Sequence, residues 1–274
     1  ARRLSMPVIT TYKAKGIIPE DDPLALGGHG LSPKSYKTLK PMIDAADLIL
    51  LVGYDPIEMR IDWRNAWGTG VDGKMVIEVT GHANRHFVHQ SDISFICDVG
   101  AGMVALTDGI AADATWPDGD VSTMKDALRA NFPRDEEWGP AAVIDAARNV
   151  FPRDGFAAVD IGAHRILLSQ QWECYAPRTL TQSTGLCTMG CAMPMALGHK
   201  IANPDQPVIA FTGDGGLEMI MGELATLRDH QLPVIVIVFV DQSLSLIELK
   251  QRANAQENLG VDFGGTDFAA VANV

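Results

Sequence analysis

The chain has 274 residues, 47% of them apolar, and a formal charge of −12 at pH 7. That charge opposes binding to nucleic acid or to an anionic membrane surface, since both need basic patches, and no apolar run approaches the ~20 residues of a membrane span. The four cysteines, Cys97, Cys174, Cys187 and Cys191, lack zinc-ligand spacing and no signal-peptide pattern is visible, so free thiols in a reducing cytoplasm are expected. Strand candidates then follow at Pro7–Thr11, Asp47–Gly53, Met75–Val79 and Ile93–Val99, with helix candidates at Tyr36–Ala46 and Gly102–Ala112. Their alternation predicts a Rossmann-like α/β domain over residues 1–113. Gly27-Gly28-His29-Gly30 is too irregular for a dinucleotide fingerprint and reads as a structural turn. Residues 114–139 read as a linker, with turn chemistry and charge at Pro117, Asp118-Gly119, Pro133 and Arg134 through Glu137, around a short helix at Ser122–Asn131. A helix at Ala141–Val150 opens a second α/β domain, residues 140–274. The fold class is α/β: two Rossmann-like domains with mostly parallel sheets flanked by helices. The chain begins at Ala1 without a methionine and stops at Val274 inside the apolar pattern DFAAVANV. The expectation is a piece of a longer protein, its second domain incomplete at the carboxyl end.

The chemistry concentrates between Phe211 and Gln251. The run Pro207–Thr212 stops at Gly213-Asp214-Gly215-Gly216, and Leu217, Met221, Leu224 and Leu227 recur at helical spacing. Val234–Val240 is an unbroken, β-branched run of the kind buried on both faces of a parallel sheet, and it stops at Asp241-Gln242-Ser243. Parallel strands joined by a crossover helix end on the same side of a sheet, where open α/β sheets bind ligands. If the two strands are neighbours, Asp214 and Asp241 converge. Two carboxylates and a loop carbonyl make a hard-oxygen site suited to Mg²⁺ or Ca²⁺, while the glycines allow backbone N–H groups to approach an anion. A phosphate-bearing ligand is implied, without a Walker sequence to hold it. An ordinary βαβ unit with acidic turns is the alternative on these residues alone.

Gly213-Asp214-Gly215, followed 25 residues later by Val240-Asp241, resembles the thiamine diphosphate motif of the acetolactate synthase and pyruvate oxidase superfamily. Asp241 stands where that family usually has asparagine, which keeps an oxygen ligand and adds a negative charge. PVITTYKAKGIIPEDDPLALGGHG resembles the family's central domain, and FAAVDIGAH and RTLTQSTGLCTMGCAMPMALGHKIANP its diphosphate-binding domain. Gly53 through Glu58 resembles the catabolic acetolactate synthase branch, which has no flavin. The flavin-binding branch carries an arginine where Tyr54 and Asp55 stand, so FAD is not expected.

The resemblance implies roles residue by residue. Gly162, Ala163 and His164 match the loop that contacts the diphosphate, with His164 as a hydrogen-bond donor to phosphate. Cys187, at a position where glycine is common, lies beneath the aminopyrimidine and needs only its carbonyl. Met189 matches the bulky residue that bends the cofactor into a V. Asp214, Asp241 and the carbonyl of Ser243 match the Mg²⁺ ligands. Gly213, Gly215, Gly216 and Leu244 complete the cofactor-binding set.

The implied activity is thiamine diphosphate- and Mg²⁺-dependent decarboxylation or carboligation of a 2-oxo acid such as pyruvate, in a homodimer or homotetramer. The activating glutamate of the family comes from a pyrimidine-binding domain on a partner subunit. No such domain is found here, so no catalytic residue is assigned to this chain. Another thiamine diphosphate-dependent 2-oxo acid decarboxylase or 2-hydroxyacyl lyase is the alternative among enzymes. A non-catalytic binding or assembly domain is the alternative outside them. A phosphatase is opposed by the lack of an Asp-x-Asp nucleophile motif.

Overall fold

The computed structural model describes residues 1–64, 66–67, 74–83, 88–114, 116–132, 134 and 137–273. The chain divides into two units, Ala1–Tyr12 with Asp21–Asn131, and Lys13–Glu20 with Phe132–Val274. Pro133, Asp135, Glu136 and Val274, which the sequence reading used, lie outside the described residues.

The first unit contains β1 (Val8–Thr11), β2 (Ala25–His29), α1 (Pro33–Ala45), β3 (Leu48–Val52), α2 (Ile61–Arg64), β4 (Met75–Thr80), β5 (Ile93–Ile96), α3 (Val99–Thr107) and α4 (Asp120–Ala130). Strands β3, β4 and β5 form one parallel sheet, and β1 pairs in parallel with β2. The glycines expected to form a turn therefore lie largely in a strand. Two adjacent glycines hide its periodicity, and pairing with β1 supplies the order that local sequence does not: Thr10 Oγ1 donates to the Gly27 carbonyl at 3.1 Å. Only Gly30 keeps a turn-like demand. Its φ is +121°, and a Cβ there would lie 2.8 Å from Met59 Cε, so a side chain is excluded on both counts. Helix starts are set by caps. Ser32 accepts from Ser35 N at 3.2 Å ahead of Pro33, and Asp98 accepts from Ala101 N at 2.8 Å. These caps start α1 and α3 three residues before the apolar periodicity does.

The second unit contains α5 (Pro140–Val150), β6 (Phe156–Val159), α6 (Ala163–Gln171), β7 (Leu180–Gln182), α7 (Ala192–Ala202), β8 (Val208–Gly213), α8 (Asp214–Met219), α9 (Glu223–Asp229), β9 (Val234–Phe239), α10 (Ser245–Ala253) and α11 (Phe268–Ala272). Its sheet has the order β7-β6-β8-β9, parallel throughout. Alternation sorts the two central strands into two cores. Ala157, Val159, Ile209 and Phe211 pack with Ile144, Leu168 and Trp172. Phe156, Ala158, Val208 and Ala210 pack with Ala192 and Ala196 of α7. The small side chains on the second face let α7 approach the sheet closely. The apolar repeat from Leu217 to Leu227, expected as one helix, is broken. The chain leaves α8 at Ile220, whose φ is −132°, and Glu223 N reaches back to the Ile220 carbonyl at 2.8 Å. The break turns Ile220 onto Gly190, where a Cβ would meet Ile220 Cγ2 at 2.9 Å.

Lys13–Glu20 is tied to the rest of the second unit by Glu20, which exchanges hydrogen bonds with the Cys174 backbone and is held by a buried ion pair within the segment. Lys15 Nζ donates to both Glu20 oxygens, at 2.7 and 2.8 Å, and Glu20 Oε2 also accepts from Cys174 N at 2.8 Å. Burial pushes the Lys15 ammonium down, but the Glu20 carboxylate more than offsets it and leaves the pKa above its ordinary value. Burial also pushes the Cys174 thiol up to about 12, so it stays neutral. Breaking such a pair leaves one charge uncompensated, which typically costs about 3–5 kcal/mol, whereas replacing both partners with apolar groups costs far less. Lys15→Met should therefore lower the unfolding free energy in urea by several kcal/mol, and Lys15→Met with Glu20→Leu should recover most of it. Equal losses in the single and double variants would show that the charge pairing is not what matters.

Candidate functional site

Parallel pairing of β8 with β9 sets Gly213 beside Phe239. The loops that follow both strands therefore emerge together at the carboxyl edge of the sheet. They open onto a cavity of ≈ 450 Å³, within the range of small-molecule sites. Gly162, Ala163, His164, Cys187, Met189, Gly213, Asp214, Gly215, Gly216, Asp241, Ser243 and Leu244 all line it. Residues not singled out from the sequence line it as well, among them Ile161, Leu167, Phe239 and, on the first turn of α10, Leu246 and Ile247. The signal for the last two was their place directly after the acidic loop.

Asp214 is buried, yet its carboxylate is well supplied with donors. Oδ1 accepts from Gly215 N at 2.8 Å, and Oδ2 accepts from Asp241 N at 3.1 Å and Gln242 N at 2.7 Å. Asp214 thereby ties its own loop to the loop of Asp241. Gln242 has a φ of +59°, in the left-handed region, and its N–H makes the shortest of the three bonds. Asp241 is more exposed. Its Oδ1 accepts from Ser243 N at 3.2 Å, and its Oδ2 accepts from the Ser245 hydroxyl. Among the described residues no group of three or more His, Cys, Asp or Glu side chains gathers to hold a metal. The donor set at this edge is two carboxylates and backbone carbonyls, the oxygen-only shell that Mg²⁺ takes when water and a phosphate complete it.

His164 stacks on Phe239 with ring centroids 5.2 Å apart. Its buried Nε2 has no hydrogen-bond partner among the described residues. Burial pushes its pKa down to about 4. Asp160, Asp241 and a hydrogen bond with the Asp160 backbone pull upward without offsetting this, and Arg165 adds to the depression. Imidazole at neutral pH is thus uncharged.

The methyl of Met189 lies over the start of α8, 3.6 Å from where a Gly215 Cβ would be. Leu244 and Phe263 close in on the same point, each at 3.4 Å. Cys187 has a φ of +51°, the left-handed conformation that glycine adopts freely. Its sulfur lies 3.2 Å from Arg165 Nη1. A strap from Leu259 to Phe263, unnoticed in the sequence, holds the acidic loop from the other side. Ser243 bridges Asp262, Leu244 N donates to the Val261 carbonyl at 2.9 Å, and Phe263 N donates to the Gln242 carbonyl at 3.1 Å.

Residues 160–274 match the model of the thiamine pyrophosphate enzyme C-terminal TPP binding domain, and residues 1–106 match that of the thiamine pyrophosphate enzyme central domain. The chain belongs to this family of thiamine diphosphate-dependent enzymes. It is similar to the acetolactate synthase of Bacillus subtilis, 26% identical over 99% of this chain and 48% of that protein. It is also similar to the pyruvate oxidase of Lactiplantibacillus plantarum, 26% identical over 100% of this chain and 45% of that protein. With the chloroplastic acetolactate synthase 1 of Zea mays it shares 30% identity over 88% of this chain and 39% of that protein. The chain thus spans about half the length of the curated relatives it matches. No helix among the described residues is long and apolar enough to cross a membrane.

The depressed His164 pKa makes stability depend on pH with a definite sign. Between pH 6.5 and about 4 the unfolded chain takes up a proton that the folded one refuses, so the unfolded state gains as pH falls. The contribution is fully present above pH 6.5 and is lost towards pH 4, by at most about 3 kcal/mol. His164→Asn should flatten the stability–pH curve in that window, read by urea unfolding at several pH values. An unchanged slope would show that His164 is not held neutral by burial.

Proposed function

We propose that this chain is the cofactor-anchoring part of a cytoplasmic, thiamine diphosphate- and Mg²⁺-dependent enzyme that decarboxylates and condenses 2-oxo acids such as pyruvate, as an acetolactate synthase does. The observation that carries the reading is the cavity at the end of β8 and β9, where an oxygen-only donor set, crowded glycines and a buried, unpartnered His164 Nε2 meet. An orphaned buried nitrogen is costly unless a ligand satisfies it; the single N–H of the neutral ring is taken by the Asp160 backbone, so a diphosphate oxygen would be bonded by drawing a second proton onto Nε2. Asp214, Asp241 and the carbonyl of Ser243 would hold the metal. Gly162, Ala163, His164, Gly213, Gly215, Gly216 and Leu244 would enclose the diphosphate. Met189 would support the bent cofactor from below, and the carbonyl of Cys187 would accept from the aminopyrimidine. When bound, thiamine diphosphate supplies the nucleophilic carbon and the electron sink for loss of CO₂ from the substrate. The chain's own share is to neutralise charge, exclude water and fix orientation.

Among the described residues no glutamate lines the cavity, and the proton relay that activates the cofactor is assigned to the pyrimidine-binding domain of a partner subunit in the intact enzyme, a homodimer or homotetramer. The 274-residue chain by itself should then give no acetolactate or CO₂ from pyruvate with cofactor and Mg²⁺ in excess. Turnover above an Asp214→Ala control would place the activating group within these residues. In the intact enzyme, Asp214→Ala should abolish Mg²⁺-dependent cofactor binding while leaving the protein folded, because the diphosphate charge loses a principal counterweight. Calorimetry showing unchanged binding would remove Asp214 from the site. Tyr54 and Asp55 at the loop after β3 lead to the further expectation that the purified enzyme lacks flavin absorption bands.

A further inference from the structure

Asp160 is fully buried, at 0% exposure, and lies at the end of β6, just outside the cavity lining. Its carboxylate gathers donors from three separate stretches of chain. Oδ2 accepts from Gly190 N at 2.8 Å and from Thr212 Oγ1 at 2.8 Å. Oδ1 accepts from Ile161 N at 2.8 Å and, more weakly, from Cys191 N at 3.4 Å, with the Cys191 thiol at 3.5 Å. Gly216 makes room for it, since a Cβ there would lie 2.5 Å from Asp160 Oδ2 and 2.9 Å from Thr212 Oγ1. Gly190 is held by its own φ of +77° and by Ile220 and the Gly216 carbonyl, which a Cβ would meet at 2.9 and 3.2 Å. The neighbour of Gly190 in the chain is Met189, whose methyl lies over Gly215. At the other end of the same turn, Arg165 donates to the Ser183 carbonyl at 3.2 Å and contacts Cys187 Sγ.

A carboxylate buried without a cationic partner costs a great deal unless backbone and hydroxyl donors surround it. Here the donors come from the turn, from β8 and from β6 itself, so the charge is stable only when all three are in register. We infer that Asp160 is a positioning residue that fixes the height of the Ser183–Cys191 turn over the start of α8, and through it the contact of Met189 with a bound cofactor. The inference rests on the cofactor reading above. Asp160 is not part of the cavity lining and acts through the turn that carries Cys187 and Met189. The tail of the ligand is held chiefly by the loops after β8 and β9, which have their own tie through the Asp214 carboxylate and the N–H groups of Asp241 and Gln242.

The test uses the intact protein and two probes, thiamine diphosphate and inorganic pyrophosphate, each titrated with Mg²⁺ by calorimetry or by competition. Asp160→Asn keeps the shape but replaces one acceptor oxygen with a donor, so the N–H of Gly190, or those of Ile161 and Cys191, lose their partner according to which way the amide turns. Affinity for thiamine diphosphate should fall by roughly tenfold or more while affinity for pyrophosphate falls much less. Without ligand, Cys191 should react roughly tenfold faster with a thiol reagent, as located by peptide mapping. Burial and Asp160 together push that thiol up to about 11 in the unaltered protein. Where Asp160→Asn does not fold, Thr212→Val removes only the hydroxyl donor and should shift the same two readings by less, with Thr212→Ser restoring them. Equal loss of both probes, loss of neither, or unchanged Cys191 labelling overturns the positioning role and leaves the cofactor reading standing. If the unaltered protein binds neither probe, the cofactor reading fails and the inference falls with it.

Discussion

Parallel pairing of β8 with β9 is the constraint on which the site depends. In this register Gly213 lies beside Phe239, so two acidic loops separated by a whole crossover leave the sheet side by side. The pairing is secured from within. β8 is buried on both faces, by Trp172 and Leu168 on one side and by the alanines of α7 on the other. A one-residue slip would exchange these two faces and bring large side chains against a helix packed for small ones. The same slip would move Asp214 away from the Asp241 and Gln242 N–H groups that it accepts from. Core packing and site geometry are therefore one specification.

Charge is handled in the second unit by exhaustive hydrogen bonding. Asp214 and Asp160 are both buried, and both accept from backbone N–H groups of loops distant in sequence. Such carboxylates cost little while their donors remain in place and much once one is lost. They convert loop positions, ordinarily the softest part of a fold, into fixed ones. His164 follows the opposite course. Burial outweighs two nearby carboxylates and keeps the ring uncharged, which leaves its Nε2 available rather than committed to an internal ion pair.

Lys15 and Glu20 apply the same logic at another place. Within the segment Lys13–Glu20, Gly16 lies so close to the Ala176 carbonyl that a Cβ would come within 2.1 Å of it. A buried ion pair that also accepts from Cys174 N provides a specific join in place of an extensive one. Specificity of this kind depends on both partners being present.

Much of the local order is legible in the chain itself. The β-branched run at Val234–Val240, the apolar run into Gly213 and the helix patterns at Ala141–Val150 and Tyr36–Ala46 follow from periodicity and from where glycine and acidic residues interrupt it. So does the prospect that Asp214 and Asp241 meet, because parallel crossovers end on one side. Features that rest on partners far along the chain were not legible. Strand β2 exists through β1, since two adjacent glycines carry no alternation of their own. The helix from Leu217 to Leu227 breaks because Ile220 finds Gly190, thirty residues earlier. The strap at Val261 has no motif and is held by bonds to Leu244, Gln242 and the Gln251 side chain. Asp160 reads in the sequence as the residue that ends a strand. Sequence alone determined which residues bring acid, imidazole and thioether chemistry. Only the tertiary structure decided which of them are buried, which stay neutral and which hold the others in place, because desolvation and donor supply belong to the assembled fold and to no single stretch of chain.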